Sequence, residues 1–453
     1  MTDVDKTVRI TDDRTMRRCA DSGVGGWALV AVVVAGCGRI GFDDVPASGA
    51  NPDAPPVHAV PGGTVVSSVG TLANAPGFPT QTHLVYAVGS ATWWLFYLDG
   101  PATNTIYAAY TTDFVTWTEA TSFTAKYPLR GGANFSVASK QIGGLDIVHV
   151  ALAYTTGSAA AQHNHVRAVL SSGAIAWDAE VDLGCGGATV FADDDGPAVA
   201  IDSLDRVFDA TSAYADLNCN PVYSGNIDIT YSGSSDTGAS WSPTWITPNY
   251  LQFVSPSGGN DSHWVAPLDN GTVLTVQSDG LTHDASGNLD NLLWASTNQT
   301  TTSAVDQVAA TAFSTAVDAN QWTAVCVSTT NCLVVVRTGA ASFASFAFDG
   351  SAWSTAAAIP AQTTSTTSGP FLATDGTSVW LFVIDSSVSS TIHYTTLSSA
   401  GWAAWAAFES GTQTRSYLAG YNMVADGVIS LMWVQANGTN YDLVVEPFLV
   451  EGG

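Results

Sequence analysis

Side chains able to do chemistry gather in the middle of this chain. Asp193, Asp194 and Asp195 stand in the run ADDDG, and Asn260, Asp261 and His263 follow downstream. Two carboxyl groups about 5–9.5 Å apart, one with a raised pKa, suffice to hydrolyse a glycosidic bond. Asp195 and Asp261, with His263 and Arg130, are therefore the candidate catalytic groups. Further on, Asp284, Ser286, Asn288 and Asp290 place oxygen side chains at alternate positions. That pattern matches the first half of a calcium loop without its closing bidentate glutamate, so structural calcium is the one metal considered and no cofactor is required. His163 and His165 alternate at a strand start and are read as a polar face rather than a metal pair. Serine-nucleophile and phosphate-binding glycine motifs do not occur in a strand-to-helix context.

The elements that must position these groups follow from a repeat. Residues 234–241 read Ser-Ser-Asp-Thr-Gly-Ala-Ser-Trp between two strand-like runs. Ser234 and Asp236 can bond turn backbone, Gly238 supplies a φ > 0 position, and Trp241 packs back on the sheet. Thr111, Asp113 and Trp117 repeat the box in shortened form, and weaker copies centre on Trp177, on Trp353, and on Trp402 with Trp405. A period of about 50–65 residues belongs to propellers, solenoids or arrays. Two further strand-like runs precede each hairpin, so each unit is a four-stranded meander. The expected fold is an all-β propeller of seven blades, the last closed by strands from both termini, with six blades as the alternative. The long loops of blades two to four then share one rim carrying Arg130, Asp193, Asp194, Tyr214, Tyr223, Asn260, Asp279 and His283. That rim is the candidate ligand-binding surface.

The box and its meander resemble the Asp-box, or bacterial-neuraminidase-repeat, propellers, which include sialidases. The resemblance covers roughly residues 64–450 and implies that the boxes are structural and lie away from any active site. A sialidase of this kind uses three arginines on the substrate carboxylate, an aspartate acid/base, and a tyrosine nucleophile assisted by glutamate. Beyond the leader this chain offers Arg39, Arg130, Arg167, Arg206, Arg337 and Arg415, and the usual Y/F-R-I/L-P motif is absent. The sequence therefore favours a propeller that binds an extracellular glycan, over an exo-acting glycoside hydrolase or a protein-interaction scaffold.

Residues 27–35 are an apolar run too short to span a bilayer. With Arg17 and Arg18 before it and Val34-Ala35-Gly36-Cys37 after it, the segment resembles a bacterial lipoprotein signal. The resemblance implies a leader over 1–36, lipidation of Cys37, and a place in the cell envelope, at the outer membrane or exposed on its surface. A start at Met16 improves the fit and makes residues 1–15 a start-site artefact. Residues 37–61, rich in Pro, Ala, Gly and Asp, are read as a disordered tether, and 62–453 as the propeller. Cys326 and Cys332 flank a turn and are expected to pair, as are Cys185 and Cys219. A net charge of −26 argues against nucleic acid and leaves the lipid at Cys37 as the only membrane contact of an expected monomer.

Overall fold

Strict alternation builds the strands. In Phe123–Leu129, Phe123, Ala125 and Leu129 are buried while Thr124, Lys126 and Pro128 face solvent. The computed structural model describes residues 62–450 except 71, 101–102, 130, 155–161, 183–195, 215–226, 235–251, 254–261, 269–271, 284–288, 300–310, 317–320, 329, 366, 386 and 389–390, with backbone alone over much of 210–316. Among these residues the chain forms an all-β propeller of seven antiparallel sheets, each with four or five strands. Their innermost strands are Leu84–Ala87, Phe135–Ile142, Ala198–Ile201, Ser262–Pro267, Trp322–Ser328, Phe371–Thr374 and Arg415–Gly420. In the last sheet Thr64–Ser68 pairs with Asn440–Leu449, so a strand from before the first full meander completes the final one. No helix among the described residues is long and apolar enough to cross a membrane.

Where it is described, the box works as its residue types require. The Asp113 carboxylate accepts the amides of Val115 (2.9 Å) and Thr116 (2.8 Å), and the Thr111 hydroxyl accepts that of Phe114 (3.0 Å). Partial burial opposes ionisation of Asp113, yet the Thr116 and Val115 amides hold its carboxyl below the usual range. Trp117 packs edge-on against Phe114, which is itself fully buried at φ 59°. Asp349 repeats the arrangement before Trp353 by accepting the amides of Ser351 and Ala352, each at 2.9 Å. Of the full box, Ser234 ends the strand Ile227–Ser234, while Asp236, Gly238 and Trp241 lie outside the described residues. Trp405 donates to the Pro360 carbonyl at 2.8 Å and packs on Phe343, and Trp402 joins the same cluster, so both serve the sheets.

Cys326 and Cys332 are opposite one another across Trp322–Ser328 and Asn331–Gly339 and their sulfurs are bonded. Cys37, Cys185 and Cys219 lie outside the described residues, as do the leader and tether.

Three of the long stretches expected to be rim loops are strand in part, where they are described. Residues 125–135 contain the end of Phe123–Leu129, which pairs with Thr103–Thr111 because its alternate residues are apolar. Residues 278–291 contain the end of Thr272–His283 and the start of Leu289–Gln299, and Asp279 and His283 oppose Leu292 and Leu289 there. Turn-like composition over 279–290 concealed a hairpin longer than its apolar run. Tyr214 likewise closes the strand Val207–Tyr214.

Closure of the last sheet gives a sharp prediction. Gly62 (φ +87°) and Gly63 (φ +74°) both hold conformations that burden an L side chain, but only Gly63 is crowded. A Cβ there would meet Val444 Cγ1 at 2.5 Å and the Val445 carbonyl oxygen at 3.1 Å. Gly62→Ala is expected to cost about 1 kcal/mol and Gly63→Ala about 2–4 kcal/mol, read by chemical denaturation. Equal losses would show that this strand end does not press on its partner.

Candidate functional site

The innermost strands surround a cavity of about 90 Å³, enough for several waters or the end of a polar ligand. Small residues leave this space: Ala138, Ala198, Ala200 and Ala266 stand where larger side chains would fill it. Polar groups on the wall are Thr80, Thr82, Ser136, Ser139 and Asn422, with Trp264 and Tyr421 as aromatic surfaces. Among the described residues, no carboxylate, imidazole, guanidinium or ammonium lines it. The wall can exchange hydrogen bonds with hydroxyl groups and stack on a ring.

One end of the cavity is crossed by residues 75–83, nearly all buried. Gln81 anchors the crossing by donating from Nε2 to the carbonyls of Ala133 (2.9 Å) and Pro197 (3.2 Å), just before the second and third innermost strands. Its Oε1 accepts the amide of Phe78 at 2.9 Å, so both ends of the amide are used. On the far side the Thr323 hydroxyl of the fifth sheet donates to the Pro79 carbonyl at 3.4 Å. Gly132 lies against this segment so closely that a Cβ would sit 2.1 Å from the Ala75 carbonyl oxygen. His83 ends the crossing, stacked on Phe135 at 4.0 Å and donating from Nε2 to its carbonyl. Burial pushes the His83 imidazole down to about 4, so it is neutral.

The charged groups are spread around the ring. Arg167 meets Asp178 at 3.3 Å and Arg206 bonds Asp202, each within one sheet. Arg337 donates to Gln321 Oε1 at 3.0 Å and to the Thr364 hydroxyl. Arg415 lies 3.4 Å from Glu409 and 4.8 Å over the Trp433 ring. Glu446 is buried nearby, and burial first, then the Glu409 charge, raise its carboxyl to about 8 against the pull of Arg415. At the boundary of the first two sheets, the Tyr154 hydroxyl donates to Glu180 at 2.8 Å, and burial with the Glu180 charge raises its pKa. At the next boundary His165 donates from Nδ1 to Asp209 (2.9 Å) and its Nε2 meets His149 Nδ1 (3.0 Å). Desolvation, then the neighbouring His165 and Arg167, keep His149 well below the ordinary histidine range.

Of the sequence-nominated site residues, His263 is fully buried, not on the rim. It belongs to the innermost strand Ser262–Pro267 and its Nδ1 donates to the Gly196 carbonyl at 2.8 Å, which makes it a spacer between sheets. His165 is not on a solvated polar face either, because it is buried between sheets with His149 and Asp209. Asp290 is in a strand opposite Thr282. Arg130, Asp193, Asp194, Asp195, Tyr223, Asn260, Asp261, Asp284, Ser286 and Asn288 lie outside the described residues. No group of three or more His, Cys, Asp or Glu side chains suited to a metal occurs among the described residues. The sequence reading missed the crossing at 75–83, although Pro76, Gly77, Pro79 and Gln81 form an unusual cluster just before an apolar strand. It also passed over Asp349, which precedes Trp353 by the same interval as Asp113 precedes Trp117.

No family model matches the sequence, and no curated protein matches it. Among solved structures, the BP39L lectin from Burkholderia pseudomallei is similar with a TM-score of 0.54 at 12% identity, over 83% of this chain and 97% of that one. The six-bladed propeller lectin of Aleuria aurantia has a TM-score of 0.40 at 12% identity, over 73% and 98% of the two chains. NanB sialidase from Streptococcus pneumoniae has a TM-score of 0.42 at 8% identity, over 79% and 83%. At 12% identity the likeness to BP39L bears on the fold alone.

The buried titrating groups predict stability against pH from both sides. His83 and His149 have pKa values below the ordinary 6.5, so as pH falls from 6.5 the unfolded chain binds protons that the fold refuses, and stability drops. Glu446 is raised from 4.5 to about 8, so as pH rises through that window the unfolded chain loses a proton that the fold keeps, and stability again drops. Each unit of difference is worth about 1.4 kcal/mol before relaxation. In urea titrations between pH 4 and 9, Glu446→Gln should flatten the alkaline decline and leave the acid one. An unchanged alkaline limb would exclude Glu446 as its source.

Proposed function

We propose that this chain is a glycan-binding propeller, held at the bacterial cell envelope by a lipid on Cys37, with its Asp boxes acting as blade markers. The observation that carries the reading is the cavity wall, where hydroxyls, an amide and two aromatic rings meet without any carboxylate or cation among the described residues. Such a surface matches neutral hydroxyl-rich ligands, whose recognition needs donors, acceptors and a ring face rather than charge. The arginines add support. Arg167, Arg206, Arg337 and Arg415 each bond acceptors at separate stations around the ring, so they do not converge as a clamp on one carboxylate.

The negative net charge of the chain works against acidic sugars and favours neutral ones. The tether would supply reach from the membrane.

The purified domain is expected to bind neutral glycans on an array and to leave fluorogenic glycosides, sialosides included, uncleaved. Turnover that disappears in Asp195→Asn or Asp261→Asn would overturn the binding reading in favour of an exo-acting hydrolase. For the anchor, Cys37→Ser expressed in a Gram-negative host should move the chain from the membrane fraction to the soluble one. Continued membrane retention would remove the lipid from the account.

A further inference from the structure

The cavity and the segment that crosses it have a joint consequence. Loops joining the sheets run into the first strands on one face, and that is the end where residues 75–83 lie across the axis. Thr80 and Thr82 of this segment form the cavity's ceiling. The other end is bounded by the turns between first and second strands, among them Tyr421 and Asn422 after Arg415–Gly420.

Two of the inner strands are partly open beyond their first residues, before closing again at Lys140 and Ile201. In Phe135–Ile142, Phe135, Ser136 and Val137 are buried while Ala138 and Ser139 are partly open. In Ala198–Ile201, Ala198 is buried while Val199 and Ala200 are partly open. Tyr421 and Asn422 are also partly exposed. The crossing itself is not a loose flap, because Gln81 uses both ends of its amide and the backbone of Gly132 fits against Ala75 without room for a methyl group.

We infer that the axial cavity takes its ligand from the face bearing the turns between first and second strands, and that this ligand is the uncharged end of a saccharide, held by Ser139, Asn422 and the Tyr421 ring. The ligand class rests on the glycan-binding reading; the face of access does not. Charge on that face agrees with an uncharged ligand. Its turns carry Asp202, Asp205, Asp375 and Asp426, and Asp146 stands just past another. Lys140 is already bonded to Asp205 at 2.7 Å and to the Asp202 carbonyl, and Arg206 is bonded to Asp202. An anionic sugar approaching this mouth would meet carboxylates whose nearby cations are engaged.

Two measurements test the inference separately from the function it builds on. Ser139→Cys and Thr80→Cys are made singly in the disulfide-intact chain and labelled with a small maleimide, the parent protein giving the background from Cys185 and Cys219. Ser139→Cys should label at least about tenfold faster than Thr80→Cys, since the latter waits for the crossing to open. Equal or reversed rates would overturn the face of access. On a neutral-glycan array, Ser139→Trp should lower affinity by about tenfold or more with its unfolding transition retained. Glycan binding by the parent that Ser139→Trp leaves intact would overturn the cavity as its site while sparing the function. Labelling in the expected order with no glycan bound by the parent would instead overturn the glycan reading and the ligand named here, and uphold the mouth.

Discussion

The pairing of Thr64–Ser68 with Asn440–Leu449 is the interaction on which the rest depends. A sheet whose outer strand is missing leaves a row of unpaired amides and carbonyls, and here the missing strand comes from the opposite end of the described chain. The ladder continues past the strand, with Val69 N on the Tyr441 carbonyl (2.9 Å) and Tyr441 N on that of Gly70 (2.7 Å). Only then does the chain turn inward to cross the axis and start the first sheet. Closure and crossing are thus one continuous segment. Residues 64–83 fasten the last sheet, cover the cavity, and deliver Leu84–Ala87 to the centre, so loosening the strand would release the cover as well.

The boundaries between sheets are not alike. One apolar cluster joins the seventh, first and second sheets through Met432, Trp93, Leu95 and Val150, and others join the fourth to the fifth and the sixth to the seventh. Between the second and third sheets stand polar pairs: His165 on Asp209, and Lys140 on Asp205 and the Asp202 carbonyl. Apolar boundaries tolerate small shifts, because burial is non-directional. A polar boundary fixes register, since each buried donor must meet its acceptor or lose about 1–3 kcal/mol.

Much of the fold was legible because its signals are local. Asp113 bonds amides two and three residues away, and Asp349 does the same, so a spacing in the sequence maps directly onto a turn. The Cys326–Cys332 pair spans one tight hairpin and was readable for the same reason. The site was far less legible. His263 looks like a rim residue next to Asp261, yet its partner is the carbonyl of Gly196, 67 positions away. Thr323 holds Pro79 across 244 positions. Contacts of that range arise from ring geometry, which composition and periodicity do not encode.

The same distinction explains why the cavity wall is neutral. Innermost strands converge on the axis, so every side chain there faces six other sheets across a narrow space, and an ion would lose hydration without a partner within reach. The charged residues that are described turn to partners of their own: Glu409 for Arg415, Asp178 for Arg167, Gln321 for Arg337. Charge at the centre would require several carboxylates and cations placed there together, as a substrate clamp does. Ala, Thr, Ser and Val at those positions relieve that demand and leave space bounded by hydroxyls. A wall of this kind lowers the cost of admitting an uncharged polar ligand, since the hydrogen bonds that the ligand gives up to water can be remade with Thr80, Ser139 and Asn422.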